Sequence, residues 1–334
     1  MARKPIKKIA VIGTGSWATA LVKILQSNDI TVAWVVPRSD VAAYMVEHRR
    51  NPRYLKDVEL NADKMIIYKS VDAAIKRSDA CLLALPSAFF HDTFKSIDAS
   101  VIRNTPFISA IKGIIPDTQT VVSEYLRLNY GVPLRNIAII SGPSHAEEIA
   151  MERKTYLTIS SKSTILAKAV SKTLGLDYVY THTSRDVIGV EYAAVLKNVY
   201  SIGIGIAHGL NYGDNFIAVL FSQAAKEMHR FVMKLNLRRR DFFSSAYMGD
   251  FAVTAYSQFS RNRTFGTMIG HGYSIQSAQN EMNMIAEGYY NAKAVYLVNM
   301  KLHAIMPFAK TVYDILYENK NPKEAFLKLE HEIY

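Results

Sequence analysis

Near the start of the chain, Ile9-Ala-Val-Ile12 runs directly into Gly13-Thr-Gly15-Ser-Trp-Ala18. An apolar strand, a glycine turn and a helix start in that order form an anion cradle. Gly13 permits the tight turn, Gly15 lets the backbone approach a pyrophosphate, and Ala18 keeps the helix close to the strand. The free N–H groups of the helix start then hold the phosphates, with the helix dipole in favour. A lone G-x-G-x-x-A string is weak, but its place between strand and helix points to a dinucleotide. An acid for the ribose hydroxyls of NAD is expected near the end of the second strand. Ala33-Trp-Val-Val36 occupies those positions, and the next polar side chain is Arg38. A cation there admits the extra phosphate of NADP, so the expected cofactor is NAD or NADP.

Hydride transfer to a ketone needs a proton donor, and the reverse reaction needs a base. A lysine serves both roles when burial and nearby cations lower its pKa. Lys112 ends the run Ile108-Ser-Ala-Ile-Lys-Gly113, at the carboxyl edge where open α/β sheets bind ligands. Lys197 lies within the apolar segment Val190-Glu-Tyr-Ala-Ala-Val-Leu-Lys-Asn198. It is either a snorkelling surface lysine or one that faces a polar cleft, since an unpaired buried charge is costly. Lys293, with Glu287 nearby, has an ordinary helical setting.

Two polar clusters suit an anion. Ser141-Gly-Pro-Ser-His-Ala-Glu-Glu148 follows an apolar run and offers Ser144 as a helix N-cap. Ser260-Arg-Asn-Arg263 supplies guanidinium, hydroxyl and amide donors of the kind that a phosphate dianion requires. His145 and His208 have no second ligand at metal spacing, so no metal site is expected, and both are either structural or placed behind the residues that touch a ligand.

These residues need a scaffold, and the hydrophobic pattern supplies one. Short apolar runs at 6–12, 31–36, 65–68, 80–85, 106–111, 137–141, 156–160 and 178–183 alternate with helical segments such as 17–25, 87–97 and 164–174. Near-continuous apolar strands separated by helices predict a mostly parallel sheet covered on both faces. Beyond Arg185 the strand signal stops, and helical spacing dominates at 188–207, 216–235, 288–303 and 307–317. The expected fold is α/β: a Rossmann-like, mostly parallel sheet domain over 1–185, then an all-helical substrate domain over 186–334.

Bulk composition narrows the class. Of 334 residues, 49% are hydrophobic and 21% charged, the balance of an ordinary globular protein. The single cysteine, Cys81, excludes an internal disulfide framework and suggests a reducing compartment, the cytoplasm. No run of about 18 apolar residues occurs, and the apolar run after Lys8 is too short for an export signal. The net charge of +11 is spread along the chain, the densest cluster being Arg238-Arg-Arg240. Scattered charge of this kind favours solubility over a nucleic-acid face.

With those segments in hand, the chain resembles the bacterial NAD(P)-dependent sn-glycerol-3-phosphate dehydrogenases. The resemblance runs through Asn51-Pro-Arg-Tyr-Leu55, Leu85-Pro-Ser87, Ser141-Gly-Pro-Ser144, Gly189-Val-Glu191 and Leu196-Lys-Asn198. It continues through Gly213-Asp-Asn215, Ser260-Arg-Asn-Arg-Thr-Phe-Gly266, Ala286-Glu-Gly288, Ala292-Lys-Ala-Val295 and Leu316-Tyr-Glu318. It implies interconversion of sn-glycerol 3-phosphate and dihydroxyacetone phosphate, feeding phospholipid synthesis. By the same resemblance Lys197 is the proton acceptor. Lys112, Asp250, Ser260, Arg261 and Asn262 are substrate positions, with Gly142 and Ser144 beside them. Ser16, Trp17, Arg38, Ala146, Ile285 and Glu287 join Gly13 and Gly15 as cofactor positions, and Lys112 and Arg261 touch both ligands. A homodimer is implied, with no nucleic-acid partner and no stable membrane insertion.

Three departures from the family pattern bear on pocket shape. Ala193-Ala-Val195 replaces a Gly-Gly-Ala, Tyr247-Met-Gly-Asp-Phe251 replaces Gly-Leu-Gly-Asp-Leu, and His145 stands where an aromatic is usual. The enzymatic alternatives are related dehydrogenases of the 6-phosphogluconate or 3-hydroxyisobutyrate type. Outside catalysis, a dinucleotide sensor would not need Lys112, Lys197 and Asp250 together. A nucleic-acid binder would lose affinity steeply with salt.

Overall fold

The structure, a computed structural model, describes residues 5–236, 240–282 and 286–333. Arg238, Arg239 and Ile285 lie outside the described residues. The chain divides into two compact units, Met1–Ile111 with Thr120–Val190, and Lys112–Gln119 with Glu191–Tyr334. This differs from a single cut after residue 185. The dividing point falls inside the helix Val187–Gly209, and the short segment Lys112–Gln119 groups with the helices. The physical reason is a set of amide contacts. Asn198 and Asn291 both donate to the Lys112 carbonyl, at 2.9 and 3.2 Å, and the Ile114 N–H donates to Asn291 at 3.1 Å.

The first unit holds one eight-stranded sheet, in the order β3-β2-β1-β4-β5-β6-β7-β8. The strands are β1 (Lys8–Ile12), β2 (Thr31–Val35), β3 (Met65–Tyr68), β4 (Ala80–Leu83), β5 (Phe107–Ser109), β6 (Ile137–Ser141), β7 (Thr155–Ser161) and β8 (Val179–Ser184). All pairs are parallel except β6 with β7. Each falls on one of the eight apolar runs. The inner strands β1, β4, β5 and β6 are buried at nearly every position, as strands covered on both faces must be, whereas the edge strands β3 and β8 are partly exposed. β1 sits centrally, with Ala10 opposite Ala33 on one side and Cys81 on the other. Helices Ser16–Ser27 and Thr164–Leu174 bury Leu21, Ile24, Leu25, Leu166 and Val170 in the core on the sheet. Burial pushes the Cys81 thiol well above its ordinary range, so it packs as an inert apolar group.

The second unit is built around Val187–Gly209, a helix long and apolar enough to cross a membrane by length and composition. Its most apolar 18-residue window is 94% buried within the protein, so it serves as a core helix. Glycines set what packs against it. A Cβ on Gly205 would lie 2.2 Å from the Arg263 carbonyl oxygen, and one on Gly209 would lie 2.4 Å from that of Thr267. Reciprocally, Gly266 and Gly270 lie against the carbonyls of Ile202 and Ile206, at 2.1 and 2.4 Å from a notional Cβ. The paired numbers rise together, so the helix Arg261–Gly270 runs parallel to the core helix in near backbone contact. Gly288 similarly abuts the Asn198 carbonyl. Two helix N-termini, at Arg261 and Glu287, are thereby brought to the turn that carries Lys197 and Asn198.

On the far side of the core helix, Glu227 is fully buried within Asp214–Leu235. Its carboxylate accepts from the N–H groups of Phe308 and Ala309 at 2.8 and 3.0 Å, capping the helix Pro307–Tyr317. Tyr200 and Gln223 donate to it as well, at 3.1 and 2.8 Å. Burial pushes this acid up to about 7, against the four donors that favour the charged form.

Candidate active site

In the sheet unit, the glycine turn is constrained from several directions. Gly13 has φ +125, and a Cβ there would lie 2.2 Å from the Ala84 carbonyl oxygen on the neighbouring strand connection. The indole N–H of buried Trp34 donates to the Gly13 carbonyl at 2.7 Å. Asn51, also buried, donates to the Thr14 carbonyl at 3.0 Å and to the Thr19 hydroxyl at 2.9 Å. Trp34 and Asn51 had no role assigned from the sequence, since nothing in their spacing marks them as braces of a turn far away.

Gly15 behaves differently. Its φ of −75 is open to any residue, and a Cβ would meet nothing within 4 Å in the chain. Neither backbone strain nor internal packing requires glycine here. The twelve-residue helix that follows has no acidic side chain in its first turn, a setting that favours an anion drawn close to the Gly15 peptide. Ser16 is buried at that start and Trp17 is half-buried beside it. These residues fit a dinucleotide pyrophosphate.

Arg38 precedes the helix Ser39–His48 as its N-cap residue, two residues beyond buried Val36. Gly142 has φ +107 after β6, and a Cβ there would lie 2.5 Å from the Tyr156 carbonyl. Ser144 is not a helix N-cap. The helix begins at Ala146 with His145 as the cap residue, and the Ser144 hydroxyl donates to the Gly142 carbonyl at 2.9 Å. The glycine turn places the helix start one residue later than the Gly-Pro-Ser string suggests. Ala146 is buried at that start.

The helical unit gathers the titratable groups. Lys197 is buried and 4% exposed, which removes the snorkelling alternative. Its ammonium donates to Oδ1 of Asp250 and, at 3.0 Å, to the hydroxyl of Thr254. Lys112 reaches the same Oδ1 at 3.4 Å. Asp250 is only 1% exposed, and its Oδ2 has no hydrogen-bond partner among the described residues. A π-helical turn, Ser245–Gly249, delivers Asp250 to the first position of the helix Asp250–Tyr256. The segment Tyr247-Met-Gly-Asp-Phe251, which departs from the family pattern, forms this turn and keeps the carboxylate in place.

Burial pushes Lys197 down to about 7; the Lys112 charge adds to this, while Asp250 opposes it. Burial would raise Asp250, but the two lysines outweigh it and hold the carboxyl below its ordinary range. Lys197 is therefore a buried amine poised near neutrality, and Asp250 is an ionised acceptor. Thr254 was missed from the sequence. Its only signal is the four-residue spacing from Asp250, which puts both on one helix face and lets its hydroxyl donate to the Asp250 carbonyl at 2.7 Å.

Beside this cluster, Ser260, Arg261 and Asn262 separate into different tasks. Ser260 caps its helix through the Arg263 N–H at 3.3 Å. The buried Asn262 accepts from the Gly288 N–H at 2.9 Å and ties the start of the Glu287–Leu302 helix to its own. Arg261 is exposed. Arg263 leaves the cluster: it donates to the Tyr256 carbonyl at 3.1 Å and lines a separate cavity of about 280 Å³ with His208. The helical spacing of two residues turns it to another side. Glu287 opens its helix, and Ile285 is outside the described residues.

Comparison with known proteins gives the family. Residues 8–167 match the family model of the NAD-dependent glycerol-3-phosphate dehydrogenase N-terminus, and 186–327 match that of its C-terminus. A glycerol-3-phosphate dehydrogenase [NAD(P)+] of Staphylococcus saprophyticus is 34% identical over 322 residues, covering 96% of each chain. One from Streptococcus sanguinis is 34% identical over 325 residues, covering 97% of this chain and 95% of its own. The crystal structure of a Coxiella burnetii glycerol-3-phosphate dehydrogenase superposes with a TM-score of 0.89 at 29% identity, over 97% of this chain and 98% of that one. The chain belongs to the NAD-dependent glycerol-3-phosphate dehydrogenase family.

Proposed function

We propose that Lys197 is the proton-transfer group of this enzyme, with Asp250, Lys112 and Thr254 setting its charge and position. The chain is an oxidoreductase that interconverts sn-glycerol 3-phosphate and dihydroxyacetone phosphate with NAD(P), supplying glycerol 3-phosphate for phospholipid synthesis. The nicotinamide supplies or accepts the hydride when bound. In oxidation, the C2–H bond gives up its electron pair as hydride, and the C2 hydroxyl proton passes to neutral Lys197. The carbonyl forms at C2, and reduction runs the same steps backwards.

The observation that carries this reading is the buried Lys197 amine hydrogen-bonded to the equally buried Asp250 carboxylate and to the Thr254 hydroxyl, with burial lowering the lysine. A base with a pKa near the working pH combines a useful neutral fraction with adequate proton affinity. Lys112, which reaches the same carboxylate oxygen, is suited to polarise the carbonyl oxygen as charge develops. Oδ2 of Asp250 is an acceptor suited to a substrate hydroxyl. Arg261 is suited to the substrate phosphate, with Ser260 and Asn262 organising the helix start around it. Gly142, Ser144 and Ala146 line a second turn in the sheet unit that suits an anionic ligand. Gly13, Gly15, Ser16 and Trp17 form the pyrophosphate cradle, with Arg38 at the adenine ribose and Glu287 a further cofactor position. The family resemblance also supports a cytoplasmic homodimer with no nucleic-acid partner and no stable membrane insertion.

Lys197→Ala tests the assignment by following dihydroxyacetone phosphate reduction through the absorbance of NADH and NADPH. Turnover should fall by about 10²–10⁴-fold, with the dissociation constants of both dinucleotides little changed. Near-normal turnover in the variant sinks the role given to Lys197.

A further inference from the structure

At the end of β2 the chain carries an ion pair with a consequence for cofactor choice. Arg38 donates from Nε to Oδ1 of Asp40 at 3.1 Å and from Nη2 to Oδ2 at 2.5 Å. This two-pronged contact uses the same donor fork that a phosphate monoester would take. Both side chains are solvent-accessible, at 55% and 64%, so neither is locked in by packing. Asp40 also lies in the first turn of the helix Ser39–His48, where a negative charge interacts favourably with the free N–H groups. The carboxylate thus holds both features that would otherwise recruit an anion at this point, a guanidinium fork and a helix start.

We propose that Asp40 is the residue that sets the preference between NAD and NADP, by competing with the 2′-phosphate for Arg38. The inference rests on the glycine-turn cofactor site described above. With Asp40 closed on Arg38, the position presents a carboxylate that accepts hydrogen bonds from unphosphorylated ribose hydroxyls. A 2′-phosphate must displace that carboxylate from the guanidinium and then sit beside a second negative group. Arg38 by itself therefore overstates the affinity for NADP, and the Arg38–Asp40 pair admits NAD. Hydrogen bonding to Arg38 holds the Asp40 carboxyl down at about 2, so it stays charged throughout the working range. The competition is accordingly insensitive to pH around neutrality and sensitive to salt, because an exposed pair is screened.

The test is direct titration of the full-length enzyme with NADH and with NADPH, followed by their fluorescence, for wild type, Asp40→Asn, Asp40→Ser and Arg38→Ala. Both Asp40 variants should shift the ratio of the two dissociation constants toward NADPH by about twofold to fivefold, the scale of an exposed ion pair. Arg38→Ala should shift the ratio toward NADH. The Asp40 effect should shrink as salt is raised from about 0.05 M to about 0.5 M. An unchanged ratio in both Asp40 variants, with both dinucleotides still binding, overturns the role of Asp40 alone. Loss of all dinucleotide binding in wild type overturns the cofactor site on which it rests.

Discussion

The ammonium of Lys197 donates to Oδ1 of Asp250, the oxygen that Lys112 also reaches, while Oδ2 is left without a hydrogen-bond partner among the described residues. One carboxylate oxygen gathers two cations, and the other remains an acceptor. Burial brings Lys197 down to about 7, so this amine exchanges its proton near neutral pH beside the Asp250 carboxylate. In the proposed reading, that exchange is the proton step of the reaction.

A pH profile follows from it. Lys197 must be neutral to accept the substrate proton, so kcat/KM for glycerol 3-phosphate oxidation should rise with pH and level off above about 7. Lys112→Met removes a cation that lowers the Lys197 pKa, and the limb should move to higher pH. Asp250→Asn removes the anion that raises it, and the limb should move to lower pH. Rate profiles of the three proteins check the sign; a limb that stays put in both variants assigns the titration to another group.

The two glycines of the turn should separate fold from ligand. Gly13→Ala forces a side chain into φ +125 and against the Ala84 carbonyl. It should cost about 2–4 kcal/mol in denaturant unfolding. Gly15→Ala meets no atom of the chain and should leave stability within about 0.5 kcal/mol. Its dinucleotide affinity should nevertheless drop by about tenfold or more, measured by fluorescence titration.

Gly266→Ala probes how the substrate helix is held. Its Cβ would lie 2.1 Å from the Ile202 carbonyl, so the two parallel helices must move apart. The expected loss is about 1–3 kcal/mol of stability. KM for dihydroxyacetone phosphate should rise more than KM for the dinucleotide, because Ser260 and Asn262 ride on the displaced helix. Gly213→Ala, where a Cβ meets nothing within 4 Å, is the matched control in the same kinetic and unfolding measurements.

Glu227 makes stability depend on pH with a defined sign. Its folded pKa is raised from 4.5 to about 7, so the folded protein binds the proton more tightly across that window. Its contribution is therefore full below the lower value and is lost as pH rises through the upper one. Glu227→Gln should flatten this slope in urea unfolding between about pH 5 and about pH 8. The variant should also lose about 1–3 kcal/mol, since its amide N–H groups face existing donors.

Much of the fold was legible in the sequence. The eight apolar runs became the eight strands, most plainly for the inner ones, where a doubly covered sheet leaves no room for alternation. The helices at 164–174 and 307–317 kept their predicted bounds, each opened by a local signal, Ser163 capping one and Pro307 starting the other. Ser144 was misplaced by one residue, since a cap depends on where the backbone of a glycine turn enters the helix. The grouping of Lys112–Gln119 with the helices was hidden for a different reason: Asn198 and Asn291, which hold it, are distant in the chain.

By itself, the sequence determined the strand–turn–helix around Gly13 and Gly15 and the alternation of strands and helices. It also determined the motif set that identifies the family. Those are local properties, written in neighbouring residues and in turn chemistry. The tertiary structure alone decided that Lys197 is buried, that it shares the Asp250 carboxylate with Lys112, and that the Arg263 guanidinium turns to the Tyr256 carbonyl. It also closed Arg38 onto Asp40. A pKa, and the choice of partner for a charge, depend on desolvation and on atoms within a few ångströms, and the fold brings those atoms from far along the chain.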